Sequence, residues 1–444
     1  VPLLPTRRLA LVAAVLAAAM LAYPGGPVDV WLAAGVVTGV LVLLALVDAS
    51  VGTSPGLLLL RREHPPVVVA GREATLSWQV SSSSSRSLRI AVADDLAPSL
   101  RARVRRFSVR LPPGGTATVS TTMRPLRRGR FPVDHLTVRI EGRLGLGARQ
   151  RRVPLSTTLR VHPPFRSKEE AELKIRRARI LEVGMRSARG LGGGTEFEQL
   201  REYGPDDEFR RIDWNATARS GRTIVRTYRA ERNQSVLVLL DNGRTMAGRV
   251  AGVPRVEHAM DAAMMLTTVA TRLGDRCGLV AFDRVVRDVV APARRVDQLS
   301  RVTEAMYALE PELSESDYSS AFAQVVARFR RRSMLVLLTD LVDHAVEESL
   351  LPALPLITRT HLVVLGAVRD PQVEAWAAGD GVDDSITAEA AAYRRAAAVQ
   401  ALADRRRTAV RLRSMGVTVV DAAPGRLAPE LADAYLLAKT TGRL

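Results

Sequence analysis

The sequence is short of cysteine, lysine and aromatic residues, and each shortage removes a class of explanation. A single cysteine, Cys277, among 444 residues excludes an internal disulfide. That usage fits a reducing compartment. Its setting Arg-Cys-Gly-Leu-Val-Ala-Phe reads as buried strand, where a cysteine without a matched histidine and acid acts as a core filler. Aromatics make up only 4% of the chain, so its cores must be built from valine, leucine and alanine, a composition that suits helices packed on a Val-rich sheet. Lysine occurs only at Lys168, Lys174 and Lys439, so the net charge of +18 is almost wholly arginine. Those arginines are scattered rather than gathered into one basic run, and no zinc-finger spacing or aromatic RNA-binding motif accompanies them. Nucleic acid is therefore not the expected partner.

Apolar material is plentiful, at 47%, and the length exceeds one ordinary domain, which leads us to expect two or three cores. Leu9 to Tyr23 and Val30 to Val47 are uncharged apolar runs separated by Pro24-Gly-Gly-Pro27. Together they read as a transmembrane hairpin over residues 1–50. The competing readings are a cleaved signal peptide, which the second run argues against, and two buried helices of a soluble core. Arg7-Arg8 precede the first run and Arg61-Arg62 follow the second, while the turn carries only Asp29. The positive-inside rule then places both ends, and everything beyond about Ser50, in the cytoplasm of a multi-pass inner-membrane protein.

From residue 51 to 165 the text turns to short runs of period two: Ala74 to Val80, Leu88 to Val92, Ala117 to Thr121 and Leu136 to Ile140. Pro, Gly and Ser clusters divide them, which predicts a small antiparallel β-sandwich used for spacing or partner contact. Glu169 to Glu182 is a charged helical stretch expected to act as a linker within a 166–233 segment. In that segment Gly190 to Thr195 resembles a phosphate loop but lacks the Gly-Lys-Ser/Thr ending. The residues that follow mix glycine, aromatics and both charge signs so densely that burial requires arginine and carboxylate to pair with each other or with a ligand.

Residues 234–444 alternate strand and helix. Ser235 to Asp241 is a continuous apolar strand of the kind buried on both faces of a parallel sheet. Helix is expected at Val256 to Leu273 and Ala321 to Arg331, and strand at Cys277 to Phe282, Met334 to Leu338, His361 to Leu365 and Val417 to Val420. A doubly wound, mainly parallel α/β sheet follows, with its site outside the carboxyl ends of the strands. Two strands end in acids, Asp241 and Asp340, and these should converge at one edge with hydroxyls from Thr245 and the Ser316 to Ser320 loop. Such hard oxygens suit Mg2+ or Ca2+.

At these residues the chain resembles the von Willebrand factor A domains. Asp241-x-Gly243-x-Thr245 is similar to a worn Asp-x-Ser-x-Ser metal-ion-dependent adhesion site. The resemblance implies Asp241, Thr245, Ser316 and Asp340 as the metal set, with one direct ligand lost at Gly243. Glu196-Phe197, Arg201-Glu202-Tyr203, Asp206-Asp207, Arg210-Arg211-Ile-Asp213-Trp214 and Ala218-Arg219 resemble the signature of the bacterial domain-of-unknown-function 58 family. Gly-Pro-Asp-Asp stands here where that family commonly has Pro-Gly-Asp. Further marks are Arg127-Arg-Gly-Arg-Phe131 and Asp370-Pro. Members of that family are encoded beside MoxR-type AAA+ ATPases, which implies a non-enzymatic adaptor or assembly factor for an unknown client. Two rival expectations stand beside it. One is a metal-dependent hydrolase using Asp241, Asp340 and the acid and base groups of Arg201 to Asp213, although no histidine sits in either motif and the nearby His258 and His344 read as surface or capping residues. The other is a structural block in which Arg210, Arg211 and Asp213 staple the signature segment to the sheet.

Overall fold

The computed structural model describes residues 3–21, 30–51, 54–188, 196–205, 207–229, 234–380 and 387–444. The chain divides into two compact units, Val1–His162 and Pro163–Leu444.

In the first unit the expected β segments all fall inside observed strands. Leu58–Glu63, Ala74–Ser82 and Thr116–Met123 form one antiparallel layer. Leu88–Asp94, Arg106–Leu111, Gly129–Glu141 and Gly147–His162 form the other, with Leu3–Pro5 added at its edge. Alternation along each strand sends Leu76, Trp78, Val80, Ile90, Val92, Val138 and Ile140 into one shared core. An ion pair lies in that core. Arg62 donates to both carboxylate oxygens of Asp94, at 2.9 and 2.7 Å, and to the carbonyls of Val133 and Leu155, while Trp78 Nε1 donates to Asp94 at 2.7 Å. Both side chains of the ion pair are inaccessible to solvent. The reading of Arg61-Arg62 as a pair of membrane-flanking cations is therefore corrected for Arg62, whose charge is neutralised inside the sandwich.

Two helices precede the strands. Helix α1, Arg7–Leu21, has 15 residues and is about 22 Å long, short of the ~30 Å hydrocarbon layer. Helix α2, Val30–Val51, has 22 residues and reaches about 33 Å. Among the described residues α2 is the one helix long and apolar enough to cross a membrane. The expected pair of spans thus reduces to a single candidate, and the turn between the helices lies outside the described residues.

The second unit is built on a six-stranded sheet. Its strands are β1 (Ser235–Asp241), β2 (Arg276–Phe282), β3 (Val286–Ala293), β4 (Met334–Leu338), β5 (Leu362–Val368) and β6 (Thr418–Ala422), in the order β3-β2-β1-β4-β5-β6. All neighbours are parallel except β2 and β3. The continuous apolar runs of β1 and β4 are buried on both sides. Val236, Val238 and Leu240 face one core, and Leu237 and Leu239 face the other. Helices α3 (Lys168–Ala188), α5 (Arg255–Arg272), α6 (Gln298–Met306) and α10 (Leu427–Thr440) cover the first face. Helix α7 (Tyr318–Arg328), residues 346–357 and the carboxyl half of α9 (Ala388–Ser414), which follows α8 (Pro371–Ala378), cover the second.

Helix α3 contains the stretch expected to link domains, and it does more than that. Ala171 and Ile175, one turn apart, are buried in the same core as α5 and α10. The N–H groups of Arg166 and Ser167, just ahead of α3, donate to Asp261 of α5 at 2.8 and 3.1 Å. Burial raises the Asp261 pKa above its ordinary value, and those two N–H groups pull only partly against it.

Candidate functional site at the carboxyl edge of the sheet

The order of strands reverses direction between β1 and β4, and open α/β sheets bind ligands at such a switch point. Asp241 ends β1 there. The pairing of Leu240 with Leu338 puts Asp241 level with Thr339, so strand alternation turns Thr339 rather than Asp340 toward it. Asp241 is fully buried, and four donors fill its carboxylate. Gly243 N–H donates to Oδ1 at 2.8 Å and Ser316 Oγ at 2.5 Å. Tyr318 Oη and Thr339 Oγ1 donate to Oδ2 at 2.8 and 2.5 Å. Burial, and after it the charge of Asp241, raises the Tyr318 phenol well above its usual pKa, so it stays a proton donor.

Asp340 has different partners. Arg405, on α9, donates to its Oδ1 at 2.7 Å and Leu341 N–H at 2.9 Å, while Arg255 Nε lies 3.2 Å from Oδ2. The Arg405 guanidinium also donates to Asp421 of β6 and to the carbonyl of Val368, at 2.8 and 3.1 Å. Burial works to lower the Arg405 pKa, but hydrogen bonds and charge from Asp421 and Asp340 outweigh it, and the group is held above its ordinary value. Arg405 is a permanent cation lodged between two acids at the end of the sheet.

The four residues expected to bind metal are therefore divided. Asp241 and Ser316 meet. Asp340 reaches the same edge, but it shares no partner with Asp241. Thr245 sits half-buried in the short helix Arg244–Ala247 and is not among the donors to Asp241. A Cβ at position 243 would lie 2.1 Å from Ser316 Oγ, so a side chain there would displace Ser316 from its hydrogen bond to Asp241. A hard cation needs about six oxygens with free lone pairs. Here Asp241 accepts four hydrogen bonds, Gly243 has no side-chain oxygen and its carbonyl accepts from Met246 N–H at 3.0 Å, and Asp340 faces two guanidinium groups, so these residues as arranged do not fit a divalent ion. Among the described residues no group of three or more His, Cys, Asp or Glu side chains is placed to hold one. The two histidines near these elements are also engaged elsewhere. His258 Nε2 lies 3.4 Å from the Val250 carbonyl, its pKa lowered by burial, and exposed His344 pairs with Glu348 at 3.2 Å.

Sequence reading missed Tyr318, Thr339, Arg255, Arg405 and Asp421. Tyr318 and Thr339 had a signal, since Tyr318 lies in the loop text singled out for its hydroxyls and Thr339 precedes Asp340. Arg405 had none, being one of three consecutive arginines.

The signature segment forms its own small element, an antiparallel pair of strands Glu196–Glu202 and Ile224–Arg229 enclosing helix α4, Trp214–Ser220. Its charges pair internally. Arg201 grips Asp207 through two hydrogen bonds of 2.7 and 2.6 Å, and Asp207 also accepts from Gly204 N–H. Tyr203 Oη donates to the Asp207 carbonyl at 3.1 Å. Asp213 caps α4 by accepting from Asn215 and Ala216 N–H, and its other oxygen accepts from Arg226 at 2.8 Å. That Arg226 hydrogen bond, followed by the Ala216 N–H, lowers the Asp213 pKa. Arg210 and Arg211 pair with Glu208, Arg222 with Glu202, and Arg219 donates to the Asn215 carbonyl. The expectation that Arg210, Arg211 and Asp213 staple the segment to the sheet is corrected among the described residues, where their partners Glu208, Asn215, Ala216 and Arg226 lie within the segment. Glu196 and Phe197 open the first strand, opposite Arg229 and Tyr228. Their side chains, Asp206 and the Gly190 to Thr195 loop fall outside the described residues. Phe209 and Trp214 contact edge to face at 5.6 Å, yet they remain 69% and 59% exposed.

Residues 199–399 match the family model described as protein of unknown function DUF58. The DUF58 match begins inside the first strand of the signature segment, after Glu196 and Phe197, takes in Asp241, Ser316 and Asp340, and ends before Arg405. Two similar relatives are the uncharacterized proteins Rv1480 of Mycobacterium tuberculosis and Mb1516 of Mycobacterium bovis, each 29% identical over 151 residues, 34% of this chain and 48% of theirs. The chain thus spans about half the length of the curated relatives it matches. Among solved structures, a PapD-like domain of human CEP192 is similar at 13% identity over 24% of this chain and 89% of that domain, with a TM-score of 0.20.

Proposed function

We propose that the chain is a membrane-anchored, non-enzymatic interaction protein whose α/β unit is von Willebrand A-like and works without a metal ion, and whose partner is a MoxR-type AAA+ ATPase. The strand order β3-β2-β1-β4-β5-β6, with acids at the ends of β1 and β4, supports the von Willebrand A-like reading. In that reading Arg405 occupies the role a cation has in an adhesion site: it neutralises Asp340 and Asp421 and ties β4, β6 and α9 together. Ser316 and Thr339 serve as donors to Asp241, which locks the loop before α7 onto β1. These groups give the domain a rigid edge. They offer a poor basis for hydrolysis, which needs an activated water or a nucleophile beside a base.

One observation carries the interaction reading. Phe209 and Trp214 stand exposed on a segment whose arginines and acids satisfy one another, so the aromatic pair is held outward on a preorganised support. Exposed aromatics flanked by arginine are the residues that dominate protein interfaces. Full-length protein in nanodiscs should capture the purified ATPase, and F209A/W214A should weaken capture at least tenfold while leaving thermal stability unchanged. Equal capture by the double variant would refute the assignment of this surface.

A further inference from the structure

The carboxyl end of α2 is clamped to the sandwich of the first unit. Asp48, 5% exposed, accepts N–H donors from Leu144 and Leu146 at 2.8 Å and from Gly147 at 3.1 Å. Ala45 and Ala49 pack on the same loop, where a Cβ at Gly147 would lie 2.1 Å from the Ala45 carbonyl. The contact between the end of the helix and the loop is therefore close. Around the clamped stripe the helix stays apolar and exposed at Leu43, Leu44, Leu46 and Val47. A bilayer crossed by α2 would thus reach the depth of the loop. At the tip of that loop Arg143 is exposed and Leu144 is 59% exposed. Arg8 lies alongside, its Cδ 3.1 Å from the position of a Cβ on Gly145, and exposed Arg7 adjoins it. Of the acids beside this loop, Asp48 is already occupied by backbone donors and Glu141 faces Arg89 at 3.8 Å.

We propose that Arg7, Arg8 and Arg143, set around Leu144, form a binding surface for the headgroups of anionic phospholipids, with Leu144 dipping into the interface. This rests on the membrane-anchored reading of α2. Arginines at a membrane surface act on anionic lipid through charge, and an exposed leucine beside them adds apolar area at the headgroup boundary.

The full chain, carrying L144C labelled with an environment-sensitive dye in a C277S background, tests it after reconstitution in nanodiscs of phosphatidylcholine alone or with phosphatidylglycerol. Incorporation is measured first. A chain that fails to incorporate overturns the membrane reading and this proposal together. In incorporated protein, phosphatidylglycerol should shift dye emission to the blue and shield it from an aqueous quencher, and R7Q/R8Q/R143Q should abolish both effects. Each arginine removed should lower the preference for the anionic lipid about fivefold. Inorganic phosphate added to phosphatidylcholine discs should leave the dye unchanged. As a second readout without the dye, wild type should retain more phosphatidylglycerol through mild detergent than the triple variant. Equal quenching in both lipids, with equal lipid retention by the two proteins, would overturn the proposal while leaving the anchor intact.

Discussion

Replacing Arg405 with methionine tests the claim that an internal cation organises the sheet edge. The substitution keeps most of the aliphatic stem and removes the guanidinium, leaving Asp340 and Asp421 with side-chain exposures of 3% and 17% and without their shared partner. Removing one member of a buried ion pair costs about 3–5 kcal/mol, because the surviving charge stays desolvated. Asp340 keeps the Leu341 N–H and the approach of Arg255, and Asp421 is partly wetted, so the lower end, about 3 kcal/mol, applies. With a urea slope of about 3 kcal/mol/M for a unit of this size, the unfolding midpoint should fall by about 1 M. The assay is pulsed thiol labelling of Cys277 in the full-length chain. That thiol is buried in β2, and burial pushes its pKa up to about 12, so it reacts only when the α/β unit opens. Arg405→Lys should recover only part of the loss, since one ammonium cannot reproduce hydrogen bonds to Asp340, Asp421 and the Val368 carbonyl together. A midpoint shift below about 0.3 M for Arg405→Met would refute the reasoning.

Two other perturbations follow from the geometry. Gly243→Ser restores the hydroxyl of an adhesion-site motif, yet its Cβ would collide with Ser316 Oγ, so it should destabilise the unit by about 1–3 kcal/mol and confer no magnesium affinity by calorimetry. Asp261→Asn should flatten the pH dependence of stability. The folded pKa of Asp261 is raised, so its contribution is complete below the unfolded value near 3.9 and is lost as pH rises through the folded value. The asparagine keeps an acceptor for the Arg166 and Ser167 N–H groups without that loss, and urea midpoints measured across pH 3–7 will separate the two.

The sheet was legible because β1 and β4 are continuous apolar runs, which only a strand covered on both faces requires. The positions of Asp241 and Ser316 were legible for a related reason: a loop after a buried strand carries the polar groups the strand cannot. What the sequence hid was long-range charge pairing. Arg405 stands 65 residues from Asp340, inside Arg405-Arg406-Arg407, and nothing local shows which of the three faces the sheet. Arg62 was hidden in the same way, since its value as a flanking cation depended on Asp94 being elsewhere. Helix α3 read as a linker because its charged face dominates the sequence, while among the described residues its buried positions are Ala171 and Ile175. Among the described residues helix α1 has 15 residues, fewer than a span needs, although its apolar text reads as one. In the signature segment the dense mixture of charges correctly indicated pairing, but composition could not distinguish pairs made within the segment from pairs made to the sheet.

The most direct test of a metal-independent edge is calorimetric titration of the full-length protein with magnesium and with calcium, beside Cys277 labelling midpoints recorded with and without a chelator. The account predicts no saturable binding up to millimolar cation and identical midpoints. Saturable binding lost on Asp241→Asn, with a midpoint that falls on chelation, would contradict it.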